Sequence, residues 1–206
     1  MDSRRGSADD EGMLEAWGEL DMTTVARDSG LAVELLVLLE DLEIRYEIID
    51  GSLVVNPPPT FSHEDFLMAL AVQLRTVSPD DIAVLGSGFK YCYDGLRGNT
   101  TNHLMADITV VRRSDVEELG TVRAPLLVVE VQSPSTQRRD LGHKRDIYAR
   151  TGVAHYLLLH PTDRTLTVLE LTDGEYVETG CFGPSGAVHL EHPFPVDLDL
   201  AQVFRS

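Results

Sequence analysis

The sequence predicts an α/β or mixed α+β fold, in which a central mixed sheet is flanked by helices. Two strongly apolar segments, 104–111 and 125–131, have the composition of central strands. Apolar residues recur at helical spacing between Leu31 and Leu42, and again after Ser62. Helices and strands thus follow one another along the chain, which is typical of a sheet covered by helices.

The first half of the chain is predicted to begin with a helix and a β-hairpin. In order, its elements are helix 31–42, strands 45–50 and 52–56, helix 62–77, and strands 82–85 and 89–93. The pair Asp50-Gly51 is expected to form the hairpin turn, and Ser62 is expected to cap the second helix.

The second half is predicted to carry the centre of the sheet. In order, its elements are strands 104–111 and 125–131, helix 138–150, and strands 154–160, 165–171 and 175–179. Gly152 is expected to end the helix, because glycine adopts a left-handed backbone without a steric cost.

A length of 206 residues suits one domain with its own core. Residues 1–28 are acidic and lack periodic apolar positions, so we expect a mobile leader, followed by a single domain over 29–206. The sequence lacks a signal-peptide pattern and an apolar run of membrane-spanning length, which favours a cytoplasmic protein. Two cysteines, Cys92 and Cys181, are too few for a disulfide scaffold and are expected to be reduced thiols.

The charge distribution indicates where a polyanion would bind. The formal net charge is −17, which argues against a surface that grips phosphates everywhere. Only residues 121–160 are net positive, with six basic and three acidic residues. A solvated basic helix face is the alternative interpretation of this segment.

Two acidic residues interrupt the two most apolar strands. Glu130 lies within 125–131 and Asp107 within 104–111. A buried carboxylate needs a cation, a metal ion or several hydrogen-bond donors, and two paired strands would bring these carboxylates together. A divalent cation or a proton between them would relieve their repulsion. The alternative for each residue taken alone is a strand end or an ion pair with arginine.

The helix that follows places Asp140, Lys144 and Tyr148 on one face, at positions i, i+4 and i+8. Lys144 is one of two lysines in a chain that otherwise uses arginine. It could act as a compact cation near a phosphate, or form a surface ion pair with Asp140.

Several segments share a pattern with one bacterial family. They are YEIIDGSLVV (46–55), Pro58-Pro59 with His63, Ala106-Asp107, APLLVVEVQSPST (124–136), Arg139-Asp140, Lys144, Tyr148-Ala149 and Gly152-Val153. Together they resemble the Uma-type restriction endonucleases over about residues 30–180. That family is placed among the PD-(D/E)xK nucleases, so the resemblance implies a restriction-endonuclease-like core.

The resemblance implies a set of metal ligands. Asp107 and Glu130 would hold Mg²⁺ or Mn²⁺, helped by the carbonyl of Val131. Glu47 matches a family position near the same site and would be a further ligand, and His63 would contact a proton or a phosphate. A hairpin surface acid and a helix-capping residue are the alternatives for these last two.

Gln132 stands where the family motif has its lysine, and the resemblance implies that Lys144 replaces it. Asp140 and Tyr148 would be accessory residues. The pair Arg138-Arg139 would contact the DNA backbone.

The implied activity is metal-dependent hydrolysis of DNA phosphodiester bonds. A catalytically inactive binding or regulatory module with the same fold is the alternative, favoured by Gln132 and by the charge of −17. A metal-dependent enzyme acting on a small phosphorylated substrate is a third hypothesis. The sequence does not decide whether the protein forms a homodimer.

Overall fold

The computed structural model describes residues 29–42, 44–56, 58–95, 102–118, 120–132 and 140–205; the side chains of 29–33, 140 and 141 are not included. These residues form two compact units that divide between Pro58 and Pro59. The predicted leader, 1–28, lies outside the described residues.

The N-terminal unit consists of one helix and one hairpin. Helix α1 (Ser29–Asp41) precedes the antiparallel strands β1 (Tyr46–Ile49) and β2 (Ser52–Val55). Asp50 and Gly51 have φ values of 48° and 81°, the left-handed backbone that a two-residue hairpin turn requires. The predicted hairpin is therefore confirmed. The buried side chains that form its core are Leu36, Leu39, Tyr46, Ile48 and Leu53.

The C-terminal unit is built on a six-stranded sheet in the order β3-β4-β5-β6-β7-β8. Its elements are helix α2 (Phe61–Val77), β3 (Ile82–Gly86), β4 (Ile108–Arg112), a 3-10 turn (Arg113–Asp115), β5 (Leu127–Val131), a π-helical turn (Asp140–Lys144), helix α3 (Arg145–Thr151), β6 (His155–His160), β7 (Thr165–Thr172), β8 (Glu175–Phe182), β9 (Ala187–Leu190), β10 (Val196–Asp199) and helix α4 (Leu200–Val203). β5 and β6 are parallel, and the other neighbouring strands are antiparallel. Parallel strands need a crossover connection, and this one contains the π-helical turn and α3. The predicted mixed sheet flanked by helices is confirmed.

The main apolar core lies on one face of this sheet. Successive residues of a strand point to opposite faces, so Leu127, Val129 and Val131 of β5 all face this core. Helix α2, the β9–β10 hairpin and α4 cover it from the other side. The remaining residues of β5, including Glu130, must then point to the opposite face.

Aromatic rings from the crossover helix cover that opposite face. The ring of Tyr148 on α3 meets the ring of Tyr156 on β6 edge-on, with centroids 5.3 Å apart. Tyr156 in turn packs against Tyr176 on β8 at 5.6 Å. Tyr148 and Tyr156 have exposures of 1% and 0%, so the second face is as dry as the first.

Several local predictions were wrong. The side chain that caps α2 belongs to Thr60, which accepts a hydrogen bond from the His63 N–H, and not to Ser62. No strand forms at 89–93 in the described structure, where Tyr91 makes only isolated bridges to Leu104 and Thr121. Regular pairing of the strand predicted at 104–111 begins at Ile108.

Other elements differ from prediction at their ends. The predicted helix 138–150 is a π-helical turn followed by an α-helix from Arg145, and residues 133–139 lie outside the description. Gly152 ends this helix with φ 84°, as predicted. The elements β9, β10 and α4 were not predicted. Cys92 and Cys181 are free thiols, as expected.

Candidate active site

Glu130 is the buried acid on which the candidate site is built. It lies on β5, on the face opposite the main core, and is 3% exposed. Its Oε1 atom accepts hydrogen bonds from Lys144 Nζ and from Tyr148 Oη, each at 3.0 Å. One charged and one neutral donor thus offset the cost of burying this carboxylate.

Asp107 lies directly across from Glu130. Ile108 on β4 is paired with Val129 on β5, so extending the antiparallel register by one residue pairs Asp107 with Glu130. Residues paired in this way point to the same face, with Cβ atoms about 4.5–5.5 Å apart. The structure therefore brings the two predicted acids together.

Two donors hold the Asp107 carboxylate in place. Its Oδ2 atom accepts the N–H of Val131 at 2.8 Å and lies 3.1 Å from His63 Nε2. Burial acts to raise the pKa of Asp107. The hydrogen bond and charge of His63 act against it, with smaller effects from Val131 and Lys144, and the pKa falls below its ordinary value. The carboxylate is thus kept in its charged form.

The crossover supplies the positive charge of the site. Lys144 is the last residue of the π-helical turn, and its side chain is 5% exposed beside that of Glu130 at 4%. Tyr148 follows four residues later on α3, so both side chains descend from one helix face onto the same oxygen. The surface ion pair considered for Lys144 is therefore replaced by a buried one with Glu130.

Gln132 directly follows β5 and is buried, with 6% exposure. Its main-chain N–H donates to the Leu159 carbonyl at 2.8 Å, which continues the parallel pairing of β5 with β6. The alternation of the strand places its side chain on the same face as that of Glu130. The amide thus occupies the position predicted for the motif's lysine.

His63 lies in the first turn of α2, three residues after the Thr60 cap. Its ring joins this turn to Asp107, and Nδ1 lies 3.8 Å from the Glu64 carboxylate. The capping alternative accounts only for the His63 main chain. The predicted contact with a proton or a phosphate stays a prediction.

Glu47 belongs to the N-terminal unit, where it lies on β1 and is fully buried. Asn56 donates a hydrogen bond to its Oε2 atom at 3.2 Å. The surface acid considered as an alternative is therefore wrong, because the side chain is not exposed. Its role as a further metal ligand stays a prediction, as does that of the Val131 carbonyl.

The remaining predicted site residues are only partly covered. Arg138 and Arg139 lie outside the described residues, and Asp140 begins the π-helical turn without a described side chain. Within the described ranges, no cluster of three or more His, Cys, Asp or Glu residues could hold a metal ion. A metal ion at Asp107 and Glu130 would therefore need oxygen ligands from elsewhere.

Sequence reasoning missed one cavity. It has a volume of about 350 Å³ and is lined by Arg112 and His155, at the ends of their strands opposite to Asp107 and Glu130, and by His192 from the connection between β9 and β10. The two imidazole rings stack with their centroids 5.9 Å apart. Local sequence patterns do not reveal such a cavity, because its walls come from distant segments.

Comparisons with known proteins agree with this fold. The model of a family described as "Uma2: Putative restriction endonuclease" matches residues 32–202. The chain is also similar to a crystal structure described as "a putative nuclease belonging to DUF820 from Anabaena variabilis ATCC 29413", with 20% sequence identity and a TM-score of 0.59. The similarity covers 79% of this chain and 91% of that one. None of the curated proteins matches the sequence. Among the helices of the described ranges, none has the length and apolarity needed to cross a membrane.

Proposed function

Since the chain belongs to the Uma2 family, we propose that it is a metal-dependent endonuclease that hydrolyses phosphodiester bonds in DNA. The observation that carries the proposal is that Asp107, just before β4, and Glu130 on the neighbouring strand β5 are both buried, with Asp107 bonded to the main chain of Val131. Lys144 beside Glu130 and His63 beside Asp107 offset part of the repulsion between two neighbouring carboxylates, and a divalent cation would relieve it further. The lowered pKa of Asp107 argues against a shared proton.

The donor set fits a hard divalent cation. Magnesium prefers oxygen ligands and is commonly held by one or two carboxylates, with water and substrate phosphates completing its shell. Two carboxylates without a third His, Cys, Asp or Glu ligand in the described ranges match this pattern. The contacts of Asp107 with His63 and Val131 both use Oδ2, and Oδ1 accepts no hydrogen bond from a described residue.

The protein's own residues would prepare the site for a phosphodiester. Asp107 and Glu130 would hold the ion, and Mg²⁺ or Mn²⁺, when bound, supplies a lowered pKa for its water ligand and positive charge for the phosphate. Lys144 and Tyr148 fix the orientation of Glu130 through Oε1. Lys144 would also add positive charge close to the phosphate, where charge develops in phosphoryl transfer. The basic segment 121–160, which carries Arg138 and Arg139, would meet the DNA backbone.

A DNA-binding or regulatory module without cleavage is the second candidate. It is favoured by the uncharged Gln132 at the lysine position and by the net charge of −17. Binding without hydrolysis would need the fold but not the ion.

Cleavage of supercoiled plasmid by the purified protein, with Mg²⁺, with Mn²⁺ and with chelator, separates the two candidates. We expect nicking or linearisation only with metal, and a loss of at least about a hundredfold in Asp107→Asn and in Glu130→Gln, because each ligand supports several kcal/mol of transition-state stabilisation. Asp146→Asn is the matched control, because Asp146 is an exposed acid on α3, the helix that begins directly after Lys144. Its activity should equal that of the wild type.

Two outcomes would contradict the proposal. Cleavage that survives Glu130→Gln or chelation would place the chemistry elsewhere. Specific binding of DNA without cleavage under any metal condition would support the binding module instead.

A further inference from the structure

Within the described ranges, the amide of Gln132 has no hydrogen-bond partner. Its Nε2 and Oε1 atoms are both buried, and no residue in the described ranges donates to or accepts from either of them. The side chain is 6% exposed, so bulk water does not satisfy the amide. An unpaired buried amide costs stability, and each such group in a native protein calls for an explanation, such as a catalytic role, an ordered water or a bound ion.

The polar groups beside Gln132 make defined contacts with one another. Glu130 Oε1 accepts from Lys144 and Tyr148, and Asp107 Oδ2 accepts from Val131. Within the candidate site, the amide of Gln132 therefore offers both a donor and an acceptor that the described protein does not use. It lies two residues beyond Glu130 on the same strand face.

We propose that Gln132 is a substrate-contacting residue of this site. Nε2 donates a hydrogen bond to a non-bridging oxygen of the phosphodiester, and Oε1 accepts one from the water that attacks phosphorus. No proton is transferred to the amide, which is not basic. In hydrolysis the attacking water releases a proton to solvent and its oxygen bonds to phosphorus, while the bond from phosphorus to the leaving oxygen breaks and the leaving oxygen gains a proton from solvent. The inference rests on the proposed function, because a phosphodiester is the ligand.

The arrangement divides two tasks between two residues. Lys144 carries the positive charge but is tied to Glu130. Gln132 carries no charge and supplies directional hydrogen bonds. A lysine at 132 would add a second buried cation next to Lys144, and two like charges in a dry site repel each other.

The first test is thermal stability in the presence of chelator. Gln132→Met keeps the length of the side chain and removes the unpaired amide, so Tm should rise by at least about 2 °C. Gln73→Met is the matched control. The Gln73 amide donates to the Ala69 and Asp199 carbonyls and accepts the Asp199 N–H at 2.7 Å, so the same replacement should lower Tm there. A fall in Tm for Gln132→Met would show that the amide has a partner within the protein and would overturn the inference.

The second test measures the binding of a short fluorescein-labelled DNA duplex of random sequence. The fluorescence anisotropy of the duplex is recorded in the presence of Ca²⁺. Loss of a hydrogen bond to a charged phosphate should raise the Kd of Gln132→Met about tenfold, while the Kd of Gln73→Met stays unchanged. A Kd equal to that of the wild type, or wild-type plasmid cleavage by Gln132→Met, would overturn the inference and leave the proposed function intact. A wild-type protein that neither binds nor cleaves DNA would instead refute the proposed function, and the inference with it.

Discussion

Replacing Lys144 with methionine should destabilise the protein strongly, because Glu130 would remain as a buried charge without its cation. The two side chains are 5% and 4% exposed, and Nζ lies 3.0 Å from Oε1. Breaking a buried ion pair by removing one partner costs roughly 3–5 kcal/mol, most of it from the desolvated charge left behind. Tyr148 still donates to Glu130 in this variant, which favours the lower end of that range.

A double-mutant cycle separates the ion pair from the packing of the side chains. Glu130→Gln alone leaves the Lys144 ammonium buried and should cost a similar amount. The double variant replaces both charges by neutral groups of similar size, so it should be more stable than either single variant. The free energy of unfolding is measured by urea denaturation in the presence of chelator, with far-UV circular dichroism to verify the native fold.

Adding Mn²⁺ to the same four proteins tests the ion. A ligand that binds only the folded state stabilises by about 2.7 kcal/mol at a hundredfold excess over its Kd. The gain should be larger in Lys144→Met than in the wild type, because the ammonium no longer repels the ion, and it should vanish in the double variant. Equal stability of Lys144→Met and the wild type would refute the buried ion pair. If Mn²⁺ raises the free energy of unfolding in neither the wild type nor Lys144→Met, Asp107 and Glu130 are not metal ligands.

Two further predictions address the hydrogen bonds around the acids. Tyr148→Phe removes a hydrogen bond to the charged Glu130 and should lower the free energy of unfolding by roughly 1.5–3 kcal/mol. Tyr176→Phe removes a hydrogen bond to a neutral carbonyl and should lower it by less. Urea denaturation measures both losses, and equal losses would contradict a charged acceptor for Tyr148. Because the folded-state pKa of Asp107 lies below its unfolded value, its ionised form stabilises the protein above the unfolded pKa, and this contribution is lost as the pH falls through the folded pKa. The stability of Asp107→Asn should therefore fall less steeply than that of the wild type below about pH 4, measured in the presence of chelator. If the two proteins show the same pH dependence, the contact with His63 does not lower the pKa of Asp107.

The pairing of the two acids could be predicted from the sequence, and its environment could not. A single acid within an apolar strand is a local signal, and consecutive strands often pair, so Asp107 and Glu130 were expected together. The contact between His63 and Asp107 joins residues 44 positions apart and depends on where the start of α2 meets the sheet. The hydrogen bond from Tyr148 to Glu130 could have been predicted, because the helical period places Tyr148 on the same helix face as Lys144.

Errors in the local elements have two kinds of physical cause. Thr60 and Ser62 both carry a hydroxyl that can cap a helix, so residue type alone does not locate the first turn. The last two strands are four residues each, and short strands give weak signals. Their buried residues do alternate, with Val188 and Leu190 on one strand and Val196 and Leu198 on the other. That alternation is the signal that could have identified them.

The crossover between β5 and β6 also has an evolutionary consequence. The amine that reaches Glu130 comes from Lys144, fourteen residues downstream, although a lysine at 132 would lie on the same strand face as Glu130. Two positions far apart in sequence thus give access to one point in space, so mutation can move the amine between them while the acids stay in place. The number of residues between the acid and the lysine can then change during evolution, while the positions of the amine and the acids in space cannot. Motif searches that demand a lysine two residues after the acid would pass over relatives of this kind, and searches based on three-dimensional arrangement would find them.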